Sequence, residues 1–269
     1  MLSSIKGVRI INKKTYSVLY IDHFSDDLKD IIRSQLTSIC HGASKASKRK
    51  IRYNYKNTVG SFIKRYKSKS EALRIGMMGE LLAHISILQF LKEFKIVSPL
   101  FNMEEKGITK GFDVILFSSS TNEIWITEVK SGELHKGKNS NGTNKNLLST
   151  AKSDLKRRLN QNEETLWDNA INKATIVLEN NKDTKDAVLE ILEEIGDGII
   201  EHKASSKNKN VILVTNLFAN LNDEIQEQAL NDFYIKTTLE NLFKGLLVIS
   251  IQKNTYQKIY EFLKDEAKS

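Results

Sequence analysis

The sequence predicts a mixed α/β fold, in which helices flank a central mixed sheet and a small αβ module precedes it. Three observations support this prediction. Apolar runs rich in Val, Ile, Leu, Phe and Trp have the composition of buried strands, and they lie at residues 7–21, 112–117, 124–129, 211–215 and 246–251. Segments with helical periodicity alternate with them, at residues 25–39, 71–94, 147–159, 163–178, 183–195 and 256–264. The polar segment 118–123 has the composition of a turn between antiparallel neighbours.

The amino-acid composition argues against a disulfide-stabilised protein and against a membrane-spanning one. The 269 residues include a single cysteine, Cys40, so the chain has no internal disulfide and no zinc cluster built from cysteines. The most apolar segment, 81–91, is too short and too often interrupted by polar residues to span a membrane. We therefore expect a cytoplasmic protein with neither membrane association nor a small-molecule cofactor.

Residues 1–44 are expected to form the small αβ module, in which one or two strands precede the helix 25–39. Asp26, Asp27 and Asp30 lie near the start of this helix, where negative charge interacts favourably with the helix dipole. A basic segment, 45–70, follows the module.

The net charge of +8 is concentrated around this basic segment. Between residues 45 and 74, eleven basic residues are opposed by Glu71 alone, and they include Lys48, Arg49, Lys50, Arg52, Lys64, Arg65 and Lys67. Four aromatic residues are interleaved with them, namely Tyr53, Tyr55, Phe62 and Tyr66. This pattern suits contact with phosphates and stacking on bases or sugars, so we favour binding of a polyanion. The alternatives are a solvated linker and a docking surface for an acidic partner.

The helix 71–94 carries an acid on its apolar face. The neighbours of Glu80 at helical spacing are mostly apolar, which makes an unpaired carboxylate costly at this position. Gly76 and Gly79 are expected to let the helix approach the sheet closely.

Glu80 has two interpretations. It either reaches a cation held by the hairpin that follows, or it is a half-exposed residue at the edge of the apolar stripe, or a partner of Arg74 or Lys130. His84, one turn further along the helix, is predicted to be packed in the core.

The two strands around the polar turn set the register of a hairpin. Its midpoint falls between Ser120 and Thr121, at the centre of the turn. In a symmetric hairpin Asp113 then faces Glu128 directly, with Cβ atoms about 5 Å apart on the same face of the sheet. Lys130 points to that face as well, because side chains alternate along a strand.

These three residues suit the hydrolysis of a phosphodiester. Opposed carboxylates repel each other unless a cation neutralises them, and Asp113 and Glu128 offer the oxygen ligands that Mg²⁺ or Mn²⁺ prefers. Lys130 adds a positive charge near an attacked phosphate. We therefore predict a divalent metal site, with Glu80 as its third carboxylate. The simpler interpretation is that Asp113 lies at a strand entrance, Glu128 faces water and Lys130 is an edge charge.

A second basic group follows the hairpin. A loop over 132–146, rich in Gly, Asn and Ser, and a helix over 147–159 contain the candidate phosphate contacts Lys136, Lys138, Lys152, Lys156 and Arg157. Lys152 and Lys156 are four residues apart, so they share one helix face and could grip a phosphate backbone. A flexible surface without a ligand is the alternative.

The order of these parts resembles the core of the PD-(D/E)xK nuclease superfamily, which has a restriction-endonuclease-like fold. The stretches LRIGMMGELLAH, KGFDVILF and IWITEVKSGE resemble the HamA family, the effector nucleases of the bacterial Hachiman anti-phage system. The motifs cover residues 70–160, and the rest of the chain matches only in length and order. The resemblance implies that residues 71–269 form a nuclease core with a C-terminal extension.

Matched residue by residue, the resemblance implies that Asp113 and Glu128 are metal ligands, Lys130 is the catalytic lysine and Glu80 is the acid carried by the helix. Phe112 stands where the superfamily name has proline, a common departure that leaves the chemistry intact. The resemblance also implies a DNA substrate and a helicase partner, HamB.

The charged hairpin predicts a metal-dependent nuclease of weak sequence specificity, and the resemblance implies that it cleaves DNA as the effector of an anti-phage system. We expect a partner, which the resemblance implies is the helicase HamB, to restrain it. A standalone restriction-type or junction-resolving endonuclease is one alternative. A non-catalytic nucleic-acid-binding subunit of a defence complex is another, and a pure assembly protein is a third.

Overall fold

The computed structural model describes residues 5–48, 50–100 and 111–268. Its strands are β1 (Val8–Asn12), β2 (Tyr16–Ile21), β3 (Phe94–Ile96), β4 (Val114–Ser118), β5 (Glu123–Glu133), β6 (Asn210–Phe218) and β7 (Gly245–Lys253). Its α-helices are α1 (Asp26–His41), α2 (Ala43–Ala46), α3 (Tyr55–Lys67), α4 (Glu71–Phe90), α5 (Ser140–Leu159), α6 (Glu164–Val177), α7 (Lys182–Ile200), α8 (Glu227–Leu239) and α9 (Gln257–Glu266). Short 3₁₀ helices cover Ile51–Tyr53 and Ser206–Asn208.

These strands form one mixed sheet in the order β1-β2-β7-β6-β5-β4-β3, which confirms the predicted fold class. Strands β2, β7, β6 and β5 are parallel neighbours, whereas β1, β4 and β3 pair antiparallel towards the two edges. Strands β1 and β2 belong to the predicted N-terminal module. The pairing of β2 with β7 joins them to the sheet that carries the β4–β5 hairpin.

Helices cover both faces of the sheet, so that its central parallel strands are buried on both sides. On one face, apolar residues of α1, α3, α4 and α9 pack against Val114, Leu116 and Val129. On the other face, α5, α6, α7 and α8 pack against Ile115 and Ile126. In the described part of the chain, no helix has both the length and the apolar character needed to cross a membrane.

Much of the basic segment is a packed helix instead of a solvated linker. Helix α3 begins after Asn54, whose side chain accepts a hydrogen bond of 2.8 Å from the backbone N–H of Asn57. Phe62 and Tyr66 lie on its inner face and are buried in the core. The predicted stacking on bases or sugars is therefore wrong for these two residues, because helix formation turns both rings inwards.

Helix α5 begins at Ser140, so the second part of the predicted loop 132–146 is helical, which corrects the predicted boundary. The Asp223 carboxylate accepts a hydrogen bond of 2.7 Å from the backbone N–H of Ser140 and caps the first turn. Asn144 is buried and accepts a hydrogen bond of 2.6 Å from Thr215 Oγ1 on β6. These distant contacts stabilise a helix start that the local Gly and Asn content does not favour.

Candidate active site

The β4–β5 hairpin has the predicted register. Val114 pairs with Thr127, so the residues that follow this pair at the open end of the hairpin are Asp113 and Glu128. The backbone N–H of Val129 donates a hydrogen bond of 2.7 Å to Asp113 Oδ2. This bond holds the Asp113 carboxylate against β5, beside Glu128.

Glu128 is buried between two cations. Lys130 Nζ lies 2.9 Å from Glu128 Oε1, and Arg158 Nη2 contacts Glu128 Oε2. The same Lys130 Nζ lies 2.9 Å from Asp154 Oδ2, so one ammonium bridges two carboxylates. Glu128 is only 2 % exposed, and the simpler interpretation in which it faces water is therefore wrong.

Helix α4 approaches β5 closely at one glycine. A Cβ atom on Gly79 would lie 1.7 Å from Ser131 Oγ, and Asn216 Nδ2 donates a hydrogen bond of 3.1 Å to the Gly79 carbonyl. Gly76 has no neighbouring atom within 4 Å of such a Cβ, so its predicted role in this approach is wrong. The close packing at Gly79 places the next residue, Glu80, beside the hairpin.

Glu80 and Asp113 are half-buried and interact electrostatically. Burial raises the pKa of Glu80 to about 8, and the negative charge of Asp113 adds to this rise, while Lys173 and Lys130 oppose it. Burial also raises the pKa of Asp113, although the hydrogen bond from Val129 counteracts part of the shift. Burial disfavours the charged forms of these two neighbouring carboxyls. A positive charge placed near them would favour their ionisation.

The chemistry of these donors fits a hard divalent cation, which prefers carboxylate oxygens. Across residues 5–48, 50–100 and 111–268, however, no three acidic, imidazole or thiol side chains lie close enough together to hold a metal ion. Both oxygens of Glu128 are engaged by protein cations instead. A metal ion at Glu128 would therefore compete with Lys130 and Arg158.

His84 is a core residue, as predicted. It is fully buried, and its Nδ1 donates a hydrogen bond of 2.9 Å to the Glu80 carbonyl. Burial lowers the pKa of His84 to about 4, so the imidazole is neutral near pH 7.

Three charged side chains at this centre were not predicted from the sequence as members of it, namely Arg158, Asp154 and Lys173. Arg158 and Asp154 are four residues apart on α5 and face the hairpin together, and this spacing was a usable signal. Lys173 Nζ lies next to Gly111, 3.0 Å from where a Cβ atom would be. Nothing in the local sequence around Lys173 indicates this position.

Most of the predicted nucleic-acid contacts are exposed. They are Lys48, Lys50, Arg52, Lys64, Lys67, Lys136, Lys138, Lys156 and Arg157. Arg65 is half-buried, and Arg49 lies outside the described residues. Helix α3, with Lys64 and Lys67, packs on one face of the sheet, and α5, with Lys156 and Arg157, packs on the other.

Two of the predicted contacts, the exposed Lys48 and the half-buried Lys152, are engaged in ion pairs. Lys48 Nζ lies 2.7 Å from Glu179, and Lys152 Nζ lies 2.7 Å from Glu240, which caps the C-terminus of α8. Lys152 is therefore held against a neighbouring helix, whereas Lys156 on the same helix is open to solvent. Contact of these residues with a phosphate backbone stays a prediction.

Comparison with known proteins addresses the chain as a whole. No curated protein matches it. The model of the HamA family matches residues 3–267 of the 269, which is nearly the entire chain. The protein therefore belongs to the HamA family, which implies a role in Hachiman anti-phage defence.

Proposed function

We propose that this HamA-family protein is a metal-dependent phosphodiesterase that cleaves DNA as the effector of its defence system. One observation carries the proposal: the charged groups of Asp113, Glu128 and Lys130 converge at the open end of one hairpin, with Glu80 beside them. Such a concentration of partly desolvated charge has a high cost for stability, and active sites are where proteins tolerate it.

The carboxylates would hold the cation. Asp113 and Glu128 are the proposed ligands, assisted by Glu80, and the all-oxygen donor set suits Mg²⁺, with Mn²⁺ as a substitute. When bound, the cation polarises a phosphate oxygen and lowers the pKa of a bound water.

Lys130 provides positive charge at a defined point. Its ammonium is 2.9 Å from both Glu128 Oε1 and Asp154 Oδ2, so it is fixed from two sides before any substrate arrives. A preorganised cation of this kind stabilises negative charge that develops on a phosphate during attack, and it can orient the attacking water. Asp154 thereby positions Lys130 without touching the substrate.

The exposed cations supply a surface for the substrate. Lys156 and Arg157 lie on the helix that carries Asp154, within one turn of the centre. Lys136 and Lys138 lie on the loop that leaves β5. Such contacts bind the backbone without reading bases, which fits cleavage of weak sequence specificity.

A nuclease of weak specificity endangers its own host, so the proposal includes restraint by the helicase HamB. The supporting fact is membership of a family that acts in a defence system. The isolated chain is expected to cut DNA faster than the chain assembled with the helicase, in the absence of phage. Equal rates for both would contradict the restraint.

The activity itself is tested with supercoiled plasmid and Mg²⁺. The wild-type chain is expected to nick or linearise the plasmid, while Glu128→Gln and Lys130→Met lose about 100-fold or more of this rate. Glu261→Gln and Lys236→Met, which change exposed residues on α9 and α8, serve as matched controls and are expected to cut like the wild type. Equal cutting by all five proteins would refute the proposal.

A further inference from the structure

A cavity of about 370 Å³ lies where the end of α3 meets the starts of α4 and α9. Three tyrosines and three charged residues line this tyrosine cavity, namely Tyr66, Tyr256, Tyr260, Lys67, Glu71 and Arg74. Its volume is within the range of small-ligand sites. None of these residues belongs to the proposed catalytic centre.

Tyr66 presents a polar group to the cavity from an otherwise buried side chain. The residue is only 4 % exposed, and its ring stacks on that of Tyr260 with the centroids 4.6 Å apart. Its ionisable hydroxyl interacts electrostatically with Tyr256, Tyr260 and Arg74, which all line the cavity. Within the part of the chain that the structure describes, no residue hydrogen-bonds to this hydroxyl. Since buried hydroxyls normally have a partner, this one is available to a ligand.

Arg74 is fixed at the same cavity by the end of α3. Its Nε donates a hydrogen bond of 3.1 Å to the carbonyl of Tyr66, and its Nη2 donates one of 2.8 Å to the carbonyl of Lys67. The guanidinium carbon lies 5.5 Å from the centre of the Tyr66 ring. A guanidinium has more N–H donors than these two contacts use, so a ligand could bind to Arg74 without moving it.

The N-terminus of α4 borders the cavity as well. The helix begins at Glu71, and the side chain of the preceding residue, Ser70, accepts no hydrogen bond from its first turn. The backbone N–H groups at such an end and the positive end of the helix dipole attract an anion. Glu71 is the opposing charge, and its side chain is exposed.

These donors suit the oxygens of a phosphate. Hydroxyl, guanidinium and ammonium groups all donate hydrogen bonds to phosphate oxygens, and the charged ones form the stronger bonds. Burial raises the pKa of Tyr66 to about 12, so its hydroxyl keeps its proton near pH 7 and can donate it. Tyrosine rings can also bind an organic cation, but Lys67 and Arg74 would repel one.

The cavity lies near the proposed catalytic centre. Arg74 precedes Glu80 by six residues on α4, which is about 9 Å along the helix axis. Glu133, the last residue of β5, interacts electrostatically with Tyr256, so the cavity is at the end of β5 that follows Lys130. One strand of DNA carries a phosphate every 3.4 Å or so of duplex axis, and the spacing therefore corresponds to about three nucleotides.

We propose that the tyrosine cavity binds a phosphate group of the DNA about three nucleotides from the bond that is cut, with Tyr66, Arg74 and Lys67 as donors. This inference deepens the proposed function and rests on it, because the phosphate is assigned to the same substrate. A terminal phosphate and an internal phosphodiester offer the same oxygens, so the test includes both.

The first test measures binding of the full chain to a short fluorescent DNA duplex in EDTA, by anisotropy. The duplex ends carry either hydroxyls or phosphates. Tyr66→Phe keeps the buried ring and is expected to bind about tenfold more weakly, because one hydrogen bond to a charged group is lost. Tyr234→Phe, on α8 at the other face of the sheet, is the matched control and is expected to bind like the wild type.

The two duplexes distinguish the sources of the phosphate. Weaker binding of both duplexes by Tyr66→Phe assigns an internal phosphate to the cavity, and weaker binding of the phosphorylated duplex alone assigns a terminal one. Binding of both duplexes like the wild type would overturn the proposal, and so would a wild type that does not bind DNA.

The second test measures the salt dependence of the same binding. Lys67→Gln is expected to lower the slope of log affinity against log salt by about 0.9, whereas Tyr66→Phe keeps the wild-type slope because a hydroxyl carries no charge. Glu71→Gln removes the opposing charge and is expected to bind about threefold more tightly at low salt. Weaker binding by Glu71→Gln, or a wild-type slope for Lys67→Gln, would contradict an anion in this cavity.

Folding and the proposed function are controlled separately. Tyr66→Phe is expected to unfold at the wild-type temperature, because its hydroxyl has no partner to lose, and a clearly less stable variant would assign the hydroxyl to folding instead. If the wild type binds DNA but does not cut it with Mg²⁺, the proposed function fails while the phosphate contact stands. If the wild type cuts DNA and Tyr66→Phe binds it equally well, only the phosphate contact fails.

Discussion

Glu128 Oε1 lies 2.9 Å from Lys130 Nζ, two residues further along the same strand, and Arg158 contacts the other oxygen. The most buried carboxylate of the centre is therefore neutralised by protein cations. Asp113 and Glu80 differ from it, because burial raises the pKa of both carboxyls. Neutral substitutions at Glu128 and at Glu80 should for this reason change stability in opposite directions.

Glu128→Ala is expected to destabilise the metal-free protein. Lys130 and Arg158 would lose the anion between them, and removal of one partner from a buried ion pair costs about 3 kcal/mol or more. Urea unfolding at pH 7 in the presence of a chelator measures the change. A variant as stable as the wild type would show that these contacts do not persist in solution.

Glu80→Gln is expected to stabilise the metal-free protein at alkaline pH. The folded pKa of Glu80 is about 8 against an ordinary value of 4.5, so the folded state holds the extra proton between these limits. Stability from this group therefore falls as the pH rises from 4.5 to 8. Glutamine removes that loss, and we expect a gain of about 1–2 kcal/mol at pH 8 that shrinks towards pH 5.

Urea unfolding at both pH values measures the effect at Glu80, with the exposed Glu261→Gln as the control. An equal gain at pH 5 and pH 8 would mean that ionisation of Glu80 is not its cause.

The close approach of α4 is tested by a pair of glycine substitutions. Gly79→Ala brings a Cβ atom to 1.7 Å from Ser131 Oγ, so the helix must shift and carry Glu80 with it. We expect a loss of about 1–3 kcal/mol and lower nuclease activity. Gly76→Ala meets no atom within 4 Å, and its better helix propensity should stabilise the protein by about 0.5–1 kcal/mol. Thermal unfolding of both variants measures these changes in stability. Equal changes for Gly79→Ala and Gly76→Ala would contradict the packing described at Gly79.

Lys253 is a buried lysine away from the centre. The stability gained by replacing it is expected to fall as the pH rises, whereas the gain expected from Glu80→Gln rises with pH. Burial lowers the pKa of Lys253 from 10.5 to about 8, and the charge of Lys258 adds to this. The unfolded chain binds the proton more tightly, so stability rises between pH 8 and 10.5. Lys253→Met is expected to gain about 1–3 kcal/mol at pH 7 and to lose this advantage near pH 10.

Unfolding by urea at the two pH values is the measurement for Lys253→Met, and the exposed Lys236→Met is the control. A gain that is unchanged at pH 10 would contradict the assignment to the buried ammonium.

The local sequence pattern was sufficient to predict the structure where residues that are close in the chain are also close in space. The register of the β4–β5 hairpin follows from the alternation of side chains and the centre of a polar turn, and the pairing of Val114 with Thr127 agrees with it. The burial of His84 follows from helical spacing in the same way. The early start of α5 was missed, because Asp223 and Thr215 stabilise it from far along the chain.

By itself, the sequence determined which strand face carries Asp113, Glu128 and Lys130, since a period of two leaves no other choice once the turn is placed. Only the tertiary structure decided that Arg158 and Asp154 on α5 close over that face and that Glu80, on a helix of the opposite layer, interacts electrostatically with Asp113. The physical reason is that the packing of a helix on a sheet depends on the side chains of both the helix and the sheet. The periodicity within one segment does not indicate which other segment it packs against.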